Sequence, residues 1–266
     1  MRLLGLYFAL AGAGLRSQLQ YRTNCILLIV MGLIWQGSGF VFIWIILSQF
    51  HSLAGWTLGE IAFLYGFRLV IHALNMLIFG IFQLLEMLVR FGIFDTFLIR
   101  PLPAFIQVMT YRFPIAAFGD LLGGIVILVA ASTHVNIDWS PLALIYLLFA
   151  IAGGCLVEAA VKLAASSLVF RTLSIFSLVG FFDDTLSLAG NYPLTIYGGV
   201  MRFLFTFVLP MAFLAYFPVT VLLRRTGELS VSPLFAFLSP LLGIILFTFA
   251  YMFFEYELRR YQSSGH

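Results

Sequence analysis

The sequence predicts an all-α, polytopic membrane protein with six transmembrane helices. Of its 266 residues, 62% are hydrophobic and only 9% are charged, and the mean hydropathy is +1.08. An ordinary soluble domain carries about 25% charged residues, so lipid must form part of the solvent around this chain. The apolar residues also gather into six long runs, and a bilayer crossing needs about 20 such residues.

Residues 1–23 are predicted to form an interfacial elbow helix. Apolar residues such as Leu3, Leu6 and Leu10 suit a face in lipid, while Arg2 and Arg16 suit the headgroups. An extended start to the first span is the alternative. Glycines and polar residues break the stretch, which argues against a cleaved signal peptide.

The rest of the chain is divided by its apolar runs into one transmembrane domain. A less regular stretch with two aspartates, Leu173 to Tyr197, separates the fourth run from the fifth; we interpret it as a half-buried connecting helix and a turn. The predicted spans are Asn24 to Gln49, Leu58 to Gln83, Phe105 to Ala131, Pro141 to Phe170, Gly199 to Tyr216 and Leu234 to Tyr256. The corresponding segments are 24–83 (spans one and two), 84–104 (a loop), 105–170 (spans three and four), 171–198 (the connection), 199–256 (spans five and six) and 257–266 (a tail).

The placement of Lys and Arg predicts that both termini are cytoplasmic, and the expected location is the inner or plasma membrane of the cell. Cations gather in the N-terminal segment, around residues 84–104 and in the tail, whereas the connections 51–57 and 132–140 hold none. Arg224 and Arg225 disagree with this pattern, since they would fall outside.

Four of the ionisable residues inside predicted spans are candidate site residues, because each charge there costs about 2.5–3.5 kcal/mol on insertion scales. Glu158 and Lys162 are four residues apart, in the order that favours a helical ion pair. Arg68 and His72 share one face of the second span. All four are candidates either for structural pairing or for a translocation path.

The sequence lacks the motifs of catalysis and of nucleotide binding. It has no H-E-x-x-H, no G-x-S-x-G, no Cys/His metal spacing and no phosphate-binding P-loop. Cys25 and Cys155 lie in apolar runs and suit packing. We therefore expect no catalytic residue, metal or cofactor in this chain, and the absence of a basic tract argues against nucleic-acid partners.

The loop 84–104 predicts a short amphipathic helix between two turns. Glu86 and Arg90 form an i,i+4 pair, Gly92 suits a break, and Asp95 can cap the helix. The helix would lie on the membrane surface through its apolar side chains, and the prolines would turn the chain back. Those residues are Phe94, Phe97, Leu98 and Ile99, followed by Pro101 and Pro103. An ordinary interfacial loop is the alternative.

Several motifs, in their order and spacing, resemble one family. They are G-x-x-D-x-x-L-x-R-P-L-P from Gly92, Tyr192-Pro193, Pro210, Tyr-Phe-Pro218, and the ending Leu258-Arg-Arg-Tyr261-Gln-Ser263-Ser-Gly265. Together they are similar to the ABC-2 type permeases of ABC transporters, in a six-span branch of that family. The resemblance covers nearly the whole chain.

This resemblance implies a membrane subunit that works with a second permease, identical or homologous, and with ABC ATPase subunits that bind ATP and Mg²⁺. It implies that the loop carries a coupling helix for the ATPase and that Pro218 to Pro233 forms short re-entrant helices. The coupling role maps onto Gly92, Asp95, Arg100, Pro101 and Pro103. The expected function is export of a lipid-like, glycan or amphiphilic substrate by alternating access.

Two other functions stay open. An ion-coupled carrier or channel would use Arg68, His72, Glu158 and Lys162 as its site, and an intramembrane enzyme or scaffold would act without nucleotide.

Overall fold

A computed structural model describes residues 2–49, 52–172, 176–229 and 231–262. Within these ranges the regular structure is helical, apart from an isolated bridge between Leu53 and Trp56. The motif residues Ser263 and Gly265 lie outside the described ranges, as do most side chains before Gly12, including those of the predicted interfacial face. The helix of residues 2–19 is present; its place at the membrane stays a prediction.

The elements in chain order are α1 (Arg2–Leu19), α2 (Arg22–Gln49), α3 (Leu58–Phe79), a 3₁₀ turn (Gly80–Leu84), α4 (Leu85–Arg90), α5 (Ile93–Leu98), α6 (Ala104–Met109), α7 (Ala116–Ser132), α8 (Pro141–Ser167), α9 (Val169–Thr172), α10 (Phe176–Gly190), a 3₁₀ turn (Leu194–Ile196), α11 (Gly199–Phe203), two π-helical turns (Leu204–Val208 and Ala212–Tyr216), α12 (Phe217–Leu222), a 3₁₀ turn (Thr226–Glu228), α13 (Pro233–Phe237) and α14 (Ser239–Leu258).

Four described helices are long and apolar enough to cross a membrane, and a bent pair raises the number to five. The four are Arg22–Ile45, Leu58–Arg90, Pro141–Thr172 and Ser239–Leu258. They agree with predicted spans one, two, four and six, although the second continues beyond Gln83 to Arg90 and the sixth starts after the separate helix α13. The chain is thus a multi-pass membrane protein.

The third predicted span is not one helix. It is interrupted between Met109 and Ala116, and the longer part, α7, has 17 residues. Pro114 explains the break, because proline has no N–H to donate and keeps Phe113 out of the α-helical region.

The fifth predicted span is not straight. Gly199–Val208 and Ala212–Leu222 meet at 78° across Pro210, so the chain changes direction inside the predicted span. Short helices follow it up to α13, in the segment where the re-entrant helices were expected.

Glycines bring the helices into close contact. A Cβ on Gly243 of α14 would lie 2.2 Å from the Gly153 carbonyl oxygen of α8, and one on Gly66 of α3 would lie 2.6 Å from the Leu128 nitrogen of α7. Gly119 of α7 is equally tight against α2. Small residues permit such approaches between apolar helices, and α2, α7, α3, α8 and α14 therefore form one bundle.

The bundle has two ends, named here by one residue each. The Asp95 end carries α4 to α6 and the residues after α14, which meet in a core of phenylalanines. The Arg225 end carries the connections 52–57, 133–140 and 223–232. Salt bridges join the last of these to the second and to the start of α3, and Arg225 donates a hydrogen bond to the Gly55 carbonyl in the first. α10 lies along α8 between these ends and contacts it through Asp183.

Candidate functional site

Residues 92–103, called here the coupling segment after the role predicted for them, lie at the Asp95 end and form a helix between two turns, as predicted. Gly92 has a left-handed φ of 67° and precedes α5 directly, a conformation that glycine adopts without strain. The N-cap is therefore Gly92 and the predicted cap at Asp95 is wrong; Asp95 lies in the first turn, where its charge still complements the helix dipole. Pro103 precedes α6, and the Gln107 side-chain amide donates to the Phe97 and Leu102 carbonyls, which fixes the return turn.

The apolar side of α5 faces protein and not a membrane surface. Phe94 and Phe97 are buried in the core at the Asp95 end, whereas Phe91 is 72% exposed and Ile99 is 84% exposed. The prediction that Phe94 and Phe97 hold the helix to lipid is thus wrong. We name the exposed side the coupling face: Arg90, Phe91, Leu98, Ile99 and Arg100, all exposed.

Tyr261 links α5 to the end of α14. Its hydroxyl donates to Asp95 Oδ1 at 3.0 Å, and its ring lies 5.5 Å from the rings of Phe94 and Phe170. Burial, followed by the nearby Asp95 carboxylate, raises the pKa of Tyr261 to about 12, so the hydroxyl stays a donor at neutral pH. In the sequence, Tyr261 was noted only as part of the C-terminal motif, and no role was predicted for it.

Two further ion pairs secure this end. Arg171 Nε donates to the buried carboxylate of Glu257 at 2.7 Å, which ties α9 to α14. Glu86 and Arg90 form the predicted i,i+4 pair at 3.3 Å. The base of α8 and α9, the base of α14 and the coupling segment therefore form one packed unit.

A charge cluster lies inside the bundle: His72, Glu158, Lys162 and Asp183. The predicted Glu158–Lys162 pair is present at 2.7 Å. Lys162 Nζ also lies 2.6 Å from Asp183 of α10, and His72 Nδ1 lies 2.7 Å from Glu158. Asp183 was not singled out from the sequence, because only the packing of α10 on α8 brings it to Lys162.

The charge cluster holds no open cation site. Ligand atoms of His72, Glu158 and Asp183 lie within 4.8 Å of one another, which by itself would suit a metal ion. Lys162 Nζ, however, contacts both carboxylates directly, so the lysine already supplies the positive charge. The cluster joins α3, α8 and α10 inside one protomer.

Arg68 lies near the cluster and contacts the residue after α10. Its side chain is buried, and Nη1 donates to Asn191 Oδ1 at 3.3 Å. Nε and Nη2 have no hydrogen-bond partner among the described residues. Glu60, two turns earlier, pairs with Arg225 and not with Arg68.

The Arg225 end explains why two arginines depart from the charge rule. Arg225 lies 2.7 Å from both Glu60 and Glu228, and its guanidinium stacks over Trp56 at 5.1 Å. Arg224 pairs with Asp138 at 2.7 Å. Both cations are thus neutralised by acidic residues at the same end: Asp138 on a neighbouring connection, Glu60 in the first turn of α3 and Glu228 on their own connection.

Comparison with known families gives a match over most of the chain. The family model described as ABC-2 family transporter protein matches residues 33–265. This range includes the coupling segment, the charge cluster and the salt bridges of the Arg225 end. No curated protein and no solved structure matches the chain.

Proposed function

Because the chain belongs to the ABC-2 transporter family, we propose that it is the permease subunit of an ATP-driven exporter whose ATPase subunits are separate chains. The observation that carries the proposal is the coupling face, an exposed apolar and basic surface on a segment that is rigidly packed on its other side. A subunit that binds this face can therefore move the segment without unfolding α5. Gly92, Asp95, Arg100, Pro101 and Pro103 shape the segment, and ATP and Mg²⁺ belong to the partner.

The packed contacts give the route for this movement. A movement of α5 would pass through Phe94 to α9 and through Tyr261 to the end of α14. It would also pass through α4 and the 3₁₀ turn into α3. ATP binding and hydrolysis would favour different arrangements of these helices, so that the path opens alternately on each side. In this proposal both termini and the Asp95 end are cytoplasmic, and the protein lies in the cell membrane.

Six crossings are part of the same proposal. Four are the long helices. Of the other two, one comprises α6 and α7 with the break between them, and the other comprises the bent pair together with α10, which was predicted as a connection and not as part of a span. α10 supports this arrangement, because Asp183 contacts Lys162 of α8 and Asn191, which follows α10, contacts Arg68 in the middle of α3.

The transport path would lie between two permease subunits. α2 packs against α7, but most of it stays exposed within the protomer, since only 11% of its apolar window is buried. A lining of such apolar helices suits a lipid-like or amphiphilic cargo, including a lipid-linked glycan. The charge cluster is closed within one protomer, which disfavours the ion-coupled carrier that would use it as a site.

The test is ATP-driven transport after purification with the ATPase and reconstitution in vesicles. Ile99→Glu combined with Arg100→Glu reverses the chemistry of the coupling face, and we expect at least a tenfold loss of transport while insertion is unchanged. Arg259→Gln, a change of charge at the same end but outside the face, should behave as wild type. Transport that continues without any ATPase would overturn the proposal.

A further inference from the structure

A cavity of about 300 Å³ opens at the Asp95 end beside α1. It lies between the start of α2, the end of α3 and the break that precedes α7. Leu28, Met76 and Phe113 contribute apolar wall, and Gln83 and Arg112 contribute polar groups. The cavity is separate from the coupling face and from the charge cluster.

The polar side chains that line this cavity, Gln18, Gln83 and Arg112, can all donate hydrogen bonds. Gln83 Nε2 is buried and has no hydrogen-bond partner among the described residues. Arg112 is exposed and forms no ion pair within the described ranges. No acidic residue is among the described residues that line the cavity.

The start of a helix adds a second feature that favours an anion. α7 has 17 residues and begins at the cavity, where Ile115 is its N-cap and no side chain caps it. Two of its first N–H groups, those of Ala117 and Phe118, already donate to carbonyls in the turn before the helix, so the positive end of the helix dipole is what favours an anion there. The buried amide of Gln83 is independent of this helix, so two elements favour an anion in one space.

We propose that this cavity binds an anionic membrane amphiphile through a phosphate group in its head. Arginine and a helix N-terminus suit phosphate oxygens, and the orphan amide of Gln83 would gain its missing acceptor. The apolar wall suits the start of the hydrocarbon chain, which favours a lipid-like molecule over free phosphate. The inference does not rest on the proposed function, because binding is expected without nucleotide and without ATPase.

The test is native mass spectrometry of the full chain purified from detergent that contains equal amounts of phosphatidylglycerol and phosphatidylcholine. We expect wild type to retain phosphatidylglycerol in about tenfold preference, as one charge-assisted contact would provide. Arg112→Gln should abolish the preference and Gln83→Leu should weaken it. Gly80→Ala should lower retention of both lipids by narrowing the cavity, since a Cβ there requires only the flexible end of Met76 to move.

Arg259→Gln is the matched control, because it removes the same charge from the same end without touching the cavity. A preference that survives Arg112→Gln, or that falls equally in Arg259→Gln, would show diffuse attraction and overturn the site. Displacement of phosphatidylglycerol by millimolar inorganic phosphate at wild-type affinity would overturn the lipid as occupant. Because binding is measured alone, failure of the exporter proposal would leave this result unaffected.

Discussion

At the scale of single residues, Tyr261 is the contact that we expect to transmit motion from α5. Tyr261→Phe removes the hydrogen bond to Asp95 but keeps the ring packing, so stability should fall by about 1 kcal/mol. Transport per ATP hydrolysed should fall several-fold, because α5 can then slip against α14. Tyr261→Ala also removes the ring and should cost about 3 kcal/mol.

The measurements are the ATPase and transport rates of the reconstituted complex, with thermal unfolding in detergent. Tyr256→Phe is the matched control, since this exposed tyrosine lies one turn earlier and stacks on Arg260. An unchanged ratio of transport to hydrolysis in Tyr261→Phe would assign Tyr261 a purely structural role.

At the scale of elements, local spacing predicted the contacts within a helix but not those between helices. The Glu158–Lys162 pair follows from i,i+4 geometry, whereas the partners Asp183 and Tyr261 depend on how α10 and α14 pack. Amphipathicity identified α5 but could not tell a lipid surface from a protein core, because both are apolar. Pro114 and Pro210 were visible signals of the two breaks, yet continuous hydropathy concealed them.

The attachment of α10 gives a prediction for the charge cluster. Lys162→Met leaves Glu158 and Asp183 without their shared cation, and loss of one member of a buried pair costs about 3–5 kcal/mol. Lys162→Met combined with Glu158→Gln also removes one of the two buried carboxylate charges, so the double variant should recover part of the lost stability.

Thermal unfolding and transport of both variants decide the role of the cluster. If it only holds α10 in place, transport should recover together with stability in the double variant. Recovery of stability without any recovery of transport would place the cluster in the transport path. Asp184→Asn, which changes an exposed neighbour on α10, should leave both quantities as in wild type.

At the scale of the whole molecule, the free side of α2 is where we expect the second permease subunit. A Cβ on Gly37 would meet nothing within 4 Å in the protomer, so Gly37→Leu should fold normally while adding bulk to that surface. If α2 lines the interface, the dimer should weaken by about tenfold, or 1.4 kcal/mol, as counted by native mass spectrometry from mixed micelles. Gly180→Leu, at an equally open position on α10, should leave the dimer unchanged. Both glycines face open space in the protomer, so exposure to lipid alone would give the two variants the same effect. Loss of the dimer in Gly180→Leu but not in Gly37→Leu would therefore place the interface, and the transport path, at α10 and not at α2.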